Sequence, residues 1–368
     1  MPLLSAMEAR VLQAARVAGP VSRTSLAEQL GVSKPTVSAA METLAAGGYM
    51  VTIGRGPSSG GRRPALYDLN PRAAYVVGVD VGGMQVRVAL ADFRGDVVVV
   101  ARERTEAEDA RALADQITSM AWQLADGERI ARARVVGACI DMPGVWDPVE
   151  RVAHLAPNLP ATSDRAFAAR IARHMPIPVR FENDVNAAAI GEFRRGGGGG
   201  HSAVFIAMGT GFGAGLMLGG RVHDGAHGRA GEIGYFPAVR QQVLEQVLSG
   251  TGLGRAHREA GGSGDPHDAL AEALQGEQPG SDVVSSFLDT LADVLSAVGL
   301  LLDPGRVLLG GGVGVALEAF LPDLRRRLAA RMPFDIDVRL AELREDAALI
   351  GAVTLALDGV WDRIGASA

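Results

Sequence analysis

The sequence predicts a two-part α/β chain: a small helical segment closed by a hairpin, then two similar lobes in which strands and helices alternate. Three observations predict it. Three short helical periodicities in the first 48 residues are followed by a strand–turn–strand pattern. From Ala73 onward, strand alternation and helical periodicity take turns. That second texture occurs twice, and each half opens on three strands in quick succession around a Gly-rich turn.

The chain has 368 residues, enough for two or three domains, and 48% of them are hydrophobic, enough for a large core. A formal net charge of −6 argues against a protein that coats nucleic acid or an anionic membrane with its whole surface. The charge is uneven. Residues 1–72 hold eight Lys and Arg against four Asp and Glu, a net +4, while the rest is net −10. Such asymmetry points to a nucleic-acid-binding front end. The single cysteine, Cys139, excludes an intrachain disulfide and nearly excludes a cysteine zinc site. Glu8, Arg10 and Arg16 interrupt any apolar signal core in the first 20 residues. No apolar run reaches 18 residues; Asp293 and Asp303 break the stretch 291–304. A soluble, cytoplasmic protein with no membrane partner is expected.

Residues 5–19 place Met7, Val11, Leu12 and Ala15 at helical spacing. Residues 22–31 form a second short helix stopped at Gly31. Residues 33–48 open with Ser33 as N-cap and Pro35 in the first turn, and line up Val37, Met41 and Leu44 on one face. Short helix, tight turn at Gly31–Val32, and a third helix with small polar residues at its start make a helix-turn-helix. Ser33, Lys34, Pro35, Thr36 and Ser38 stand on the first turns of that third helix, the part a recognition helix presents to base edges. Lys34 is the only lysine in the chain. The same segment also reads as a plain three-helix bundle with a surface lysine.

Residues 48–71 read as strand, Gly/Ser-rich turn and strand, with Arg55, Arg62 and Arg63 about the tip. A hairpin after a recognition helix is a wing. Arg-Arg-Pro between glycines is narrow and extended, suited to a minor groove whose negative potential attracts arginine. A winged helix-turn-helix over residues 1–72 is therefore expected, and a second region over 73–368.

In that second region, GVDVGGMQVRVAL (78–90) is a strand, a Gly-Gly turn and a second strand. Asp80 lies two positions before Gly82 and Gly83, as in a phosphate-gripping hairpin, but Met84 follows where a hydroxyl would bind phosphate. The second half opens on GTGFGAG (209–215). Its Gly209, Gly211 and Gly213 leave backbone N–H groups open to an anion, and Thr210 adds a hydroxyl. LLGGGVG (308–314) is a third such turn, read either as packing under an adenine or as a tight connection. In FENDVNAAAIGEF (181–193) a strand ends at Glu182 and a helix starts near Val185. Asp184 at that junction either acts as a general base on a substrate hydroxyl or caps the helix. Glu232 sits in the Gly-rich loop GRAGEIGY (228–235), suited to hydrogen-bonding sugar hydroxyls.

Seven ordered motifs now stand along the chain: GGRRPALYDLNP, GVDVGG, PNLP (157–160), FENDVNAAAIGE, GTGFGAG, GAHGRAGEIG (225–234) and DPGRVLLGGG (303–312). With them the chain resembles the ROK family of repressors, open reading frames and sugar kinases, over essentially its whole length. The resemblance implies a two-lobed actin-like ATPase (ribonuclease H-like) domain behind the winged helix-turn-helix of the regulator branch. It implies that Asp80, Gly82 and Gly83 belong to one phosphate motif, and Gly209, Thr210, Gly211 and Gly213 to another. Asp184 matches the base that deprotonates the sugar hydroxyl, and Asn158, Asn183, Glu232 and Glu245 match sugar-binding positions.

Two departures from the family pattern bear on function. Kinase members carry Thr then Lys where this chain has Met84 and Gln85. Losing one hydrogen bond to a charged group costs about 1.5–3 kcal/mol. The family's GEIGH reads GEIGY, with Tyr235 in place of the histidine, and residues 236–250 contain no Cys or His. Structural zinc is expected to be absent, with Val243 and Leu244 filling the gap, and the sugar pocket reshaped. The expected function is a sugar-sensing transcriptional repressor of carbohydrate-related genes. It would act as a homodimer or dimer of dimers on a two-fold symmetric DNA operator and require no cofactor. The alternatives are an ATP- and Mg-dependent kinase of a hexose or amino sugar, alone or combined with regulation, and a regulator whose effector is not a sugar.

Overall fold

The computed structural model describes residues 4–56, 63–197, 199–238 and 242–366. The front segment holds α1 (Ala6–Ala18), α2 (Arg23–Leu30), α3 (Lys34–Ala46) and the antiparallel pair β1 (Met50–Arg55) and β2 (Ala65–Leu69). Each helix starts where a serine side chain accepts an otherwise unpaired backbone N–H: Ser5 from Glu8, Ser22 from Ser25, Ser33 from Thr36. Gly31 ends α2 in the left-handed conformation and turns the chain into α3. Val11, Leu12, Leu26, Val37, Met41 and Leu44 are fully buried, the apolar faces expected from their spacing, whereas Met7 is half-buried. Val21 bridges Tyr67 in both directions and fastens β2 to the helices.

Next come β3 (Tyr75–Val81), β4 (Gln85–Asp92), β5 (Val97–Arg104), α4 (Ala110–Gly127), β6 (Val135–Met142), the short pair β7 (Val145–Asp147) and β8 (Val152–His154), α5 (Arg165–His174) and β9 (Val179–Asn183). They build a five-stranded sheet of order β5-β4-β3-β6-β9. The second half has α6 (Asp184–Arg195), β10 (Ala203–Met208), β11 (Phe212–Leu218), β12 (Arg221–Val222), α7 (Glu245–Leu248), α8 (Gly250–Glu259), α9 (Pro266–Gln275), α10 (Gly280–Leu302), β13 (Val307–Gly310), α11 (Gly311–Ala316), α12 (Leu321–Ala329), β14 (Val338–Leu340) and α13 (Ala347–Gly365). Its sheet runs β12-β11-β10-β13-β14. Counted among each sheet's own strands, both orders are third, second, first, fourth, fifth, so the repeat legible in the sequence is a repeat of topology. The β7–β8 pair is an addition to the expected pattern, and β12, the third strand of the second half, is only two residues long.

The chain divides into two compact units. One comprises Met1–Ile140, Asn158–Phe181 and Ala352–Ala368; the other comprises Asp141–Pro157 and Glu182–Gly351. In the second unit α10 is the spine of the core: its Val284, Phe287, Leu288, Leu291 and Leu295 are buried in one apolar cluster with Val204 and Ile206 of β10 and Val307 and Leu309 of β13. Among the described residues it is the one helix long and apolar enough to cross a membrane by length and composition, and half of that apolar window is buried.

In the first unit the end of α13 grips the front segment. Arg16 of α1 pairs with Asp358 at 2.7 Å and lies over the Trp361 ring at 4.9 Å. Trp361, 2% exposed, stacks on Phe93 with centroids 4.7 Å apart. Below the wing, Arg94 pairs with Asp68 at 2.7 Å and donates to the Leu69 carbonyl. Trp361→Ala is expected to cost about 3–5 kcal/mol, the range for emptying a buried aromatic site. Trp361→Phe is expected to cost far less, because the indole N–H has no hydrogen-bond partner among the described residues. Urea unfolding of the two variants checks this ordering.

Candidate functional site

The first turn of α3 presents Ser33, Lys34, Pro35 and Thr36 exposed, with Ser38 half-buried. The Ser33 hydroxyl is already engaged: it accepts the Thr36 N–H at 3.3 Å and lies 2.7 Å from the Thr36 hydroxyl. Ser33 is thus the N-cap its place in the sequence implies, and it holds the turn that presents Lys34. Arg55 ends β1, and Arg63 lies just before β2, both exposed. Arg62 lies outside the described residues.

The first Gly-rich turn lies in the first unit and is tightly held. Gly82 N–H donates to the Gln85 carbonyl at 3.0 Å, and the Thr105 hydroxyl donates to the Gly82 carbonyl at 2.6 Å. Thr105 N–H donates to the Met84 carbonyl at 3.1 Å, leaving the Met84 side chain 84% exposed. Asp80 is gripped by Arg87, its cross-strand partner, whose Nε donates to it at 2.7 Å. A methyl placed on Gly83 would meet the Asn158 carbonyl at 3.2 Å, so Asn158 belongs with this turn.

The remaining candidates lie in the second unit. Asn183, not Asp184, caps α6: its side chain accepts the Asn186 N–H, while its amide donates to the Gly144 carbonyl at 3.0 Å. Asp184 is the first helical residue and takes the Val185 N–H at 2.8 Å. The capping reading of Asp184 is therefore corrected, and a carboxylate in the first turn is stabilised there by the helix dipole. Asn186 donates onward to Glu182 at 3.3 Å and to Asp224 at 3.4 Å.

Gly209 spends its N–H on the Gly211 carbonyl, and Gly213 pairs with Ala207 in the β10–β11 ladder. The sequence offers both to an anion; the turn engages Gly209 and the ladder Gly213, leaving Thr210 and Gly211 at the tip. The Gly311 turn lies against the Met208 carbonyl, which favours the tight-connection reading over an adenine shelf. Glu245, at the start of α7, faces the same tip: its carboxylate is 3.5 Å from the Phe212 N–H and would be 3.1 Å from a methyl on Gly211. Glu232 and Tyr235 gather beside it. Burial pushes the Glu232 carboxyl above the usual carboxylate range, and Glu245 adds to the shift. Burial, then Glu232 and Glu245, also raises the Tyr235 phenol. Tyr235 and Phe236 are 55% and 66% exposed, an aromatic face beside two carboxylates.

Because the folded pKa of Glu232 is raised, its charge burdens the fold at neutral pH, and the burden lifts as pH falls through that raised value. Glu232→Gln is expected to melt higher than the parent at pH 7, with the gap closing as pH falls below about 4 and the parent carboxyl becomes protonated in both states. Melting scans across that range test it.

The zinc donors of the family pattern do not fit this chain, since residues 236–250 hold neither thiolate nor imidazole. Instead Pro237 and Val243 pair, Leu244 N–H donates to the Phe236 carbonyl at 2.9 Å, and Leu244 is buried. A magnesium–phosphate grip fits the first turn poorly as well: Met84 has no donor hydrogen and Asp80 is engaged by Arg87. Arg87, Thr105 and Asp224 were missed by sequence reasoning; only the strand register of Arg87 against Asp80 was within its reach. Asp147, Glu150 and His154 of the β7–β8 hairpin also converge, with ligand atoms within 4.8 Å of one another.

A family model described as ROK family matches residues 76–359. A putative xylose repressor of Caldicellulosiruptor sp. (strain Rt8B.4) is 24% identical, with 92% of each chain aligned. A crystal structure of a ROK family transcriptional regulator, a homologue of the E. coli MLC protein, is similar with TM-score 0.79 at 20% identity and covers 98% of both chains. A ROK family glucokinase from Streptomyces griseus, solved with glucose and AMPPNP, has TM-score 0.65 at 27% identity and covers 78% of this chain and 100% of its own.

Proposed function

The chain belongs to the ROK family, and from that premise we propose that it is a DNA-binding transcriptional regulator, a repressor of carbohydrate-related genes that senses a sugar or sugar derivative. Its fold is a winged helix-turn-helix ahead of the family's two-lobed actin-like domain. The observation that carries the reading is the front segment: a serine-capped α3 with an exposed first turn, followed directly by β1 and β2. Residues 1–72 are taken as the DNA-binding domain and 73–368 as the sensor. Lys34, Pro35, Thr36 and Ser38 would face the major groove, with Ser33 holding their turn. Arg55, Arg62 and Arg63 would serve the minor groove.

Asn158, Asn183, Asp184, Glu232, Tyr235 and Glu245 are the proposed sugar contacts. Carboxylates and amides accept and donate to hydroxyls, and the exposed Tyr235 ring offers an apolar sugar face a platform. A homodimer would match a two-fold symmetric operator with one head per half-site. The sugar would act by binding one state of the sensor better than the other, the only way a ligand shifts such an equilibrium. The Caldicellulosiruptor relative, named a putative xylose repressor, supports both the DNA partner and the sugar class.

Binding of the purified protein to its own upstream DNA, with and without a panel of sugars, tests this. Specific binding changed by one sugar is the expected result; binding indifferent to every sugar points to a non-sugar effector. The kinase reading is favoured by Asp184 at the start of α6, where it would take the proton of a sugar hydroxyl, and by the glucokinase likeness. ATP and magnesium would be its cofactors. An ATP-coupled assay decides: turnover near about 1 s⁻¹, lost in Asp184→Asn, would replace regulation by catalysis as the main function.

A further inference from the structure

A cavity of about 940 Å³ opens within the first unit, and none of the proposed sugar or DNA residues lines it. That volume is in the range of small-molecule sites. Its floor is apolar: Val135 at the start of β6 and Val360 and Ile364 on α13 are buried, and Ile177 is half-buried. Trp122 on α4 forms a wall, its indole N–H donating to the His174 carbonyl at 3.0 Å.

The rim is cationic. Arg132 stacks on Trp122 at 5.2 Å and is neutralised by Asp126 at 2.7 Å. Arg363 uses one guanidinium nitrogen on the Val136 carbonyl at 2.8 Å. Partial desolvation lowers its pKa, while the residue as a whole stays exposed. Arg173, the third arginine, makes no side-chain hydrogen bond or ion pair among the described residues. An apolar floor, an aromatic wall and an arginine with unspent donors suit a molecule with a greasy body and one anionic end.

We propose that this cavity binds a small amphiphilic organic anion, its apolar part on Val135, Ile177, Val360 and Ile364 and its carboxylate on Arg173 and Arg363. The site goes beyond the sugar reading and does not depend on it. It also touches the joint of the DNA-binding segment. Leu4, next to the α1 cap Ser5, lines the cavity, and α13 carries both its floor and the Asp358 and Trp361 that hold Arg16. An occupant would touch α13 and Leu4, two residues ahead of α1, the helix that Arg16 ties to α13, and so would favour the docked arrangement of the two helices.

The test uses the full-length protein and 1-anilinonaphthalene-8-sulfonate as a fluorescent probe, displaced by octanoate or by its neutral analogue octanamide. The expected result is displacement by octanoate about tenfold stronger than by octanamide, the size of one charge-assisted hydrogen bond. Arg173→Gln, an exposed substitution that leaves the fold intact, should bring octanoate down to the octanamide level. Ile177→Trp, which fills the floor, should abolish displacement by both. Sugars should not compete. Equal displacement by acid and amide, an unchanged octanoate affinity in Arg173→Gln, or full binding in Ile177→Trp would each overturn the proposal. Loss of sugar response alone would leave it standing.

Discussion

Raising monovalent salt from about 50 to about 200 mM is expected to weaken operator binding roughly ten-thousandfold. Two heads making about eight phosphate contacts between them release that many counterions and give a log–log slope near −7. The effect has to come from the front segment. Residues 1–72 are net +4, while the remaining chain is net −10 and repels DNA. Lys34→Ala, present in both heads of a dimer, should lower the slope by about 2 if Lys34 meets a phosphate. If it reads a guanine edge instead, the slope should hold and discrimination at one base pair should fall by about 1–3 kcal/mol. Anisotropy titrations at four salt concentrations, on operator and scrambled DNA, separate the two. A flat salt response would remove the DNA-binding role altogether.

Gly231→Ala should damage the sensor through two faults at once, a strained backbone and a clash. Gly231 sits at φ +93°, a conformation an L side chain rarely adopts, and a Cβ there would lie 1.9 Å from the Ala214 carbonyl oxygen. The backbone has no room to yield, because Ala214 N–H donates to the Gly231 carbonyl at 2.9 Å and Ile233 N–H to the same oxygen at 2.7 Å. Strain and overpacking together are expected to cost about 3–5 kcal/mol. The melting temperature should drop by roughly 10 °C, with sugar binding lost as the neighbouring Glu232 is displaced. Gly199→Ala is the control: no atom lies within 4 Å of its added carbon, and its change should stay within about 0.5 kcal/mol. If both variants melt alike, the Gly231 geometry is wrong.

Much of the fold was legible because it rests on local rules. Serine before a helix, glycine after one and apolar periodicity depend on residues within a few positions, and Ser33, Gly31 and the Val37–Met41–Leu44 stripe follow them. The duplicated strand order is likewise present in the chain as two runs of the same texture. The Gly-rich turns and the acidic residues of the candidate site were legible as residues, but their tasks were not. Whether Asn183 or Asp184 caps α6 turned on one backbone angle, and whether Gly209 faces an anion or the loop turned on a single hydrogen bond.

The order of parts, the caps, the two repeats, the charge contrast between front and rear, and the loss of the hydroxyl at Met84 and of the zinc donors after Tyr235 can all be read from the residues. That Arg87 holds Asp80, that Glu245 joins Glu232 and Tyr235, and that the last helix carries Asp358 and Trp361 back to Arg16 near the start of the chain came from the folded arrangement. The reason is physical. Arg16 and Asp358 are 342 positions apart, and no local propensity encodes their meeting; it accompanies the stacking of buried Trp361 on Phe93. Electrostatics and side-chain packing act through space, and which groups become neighbours is settled only when the core closes.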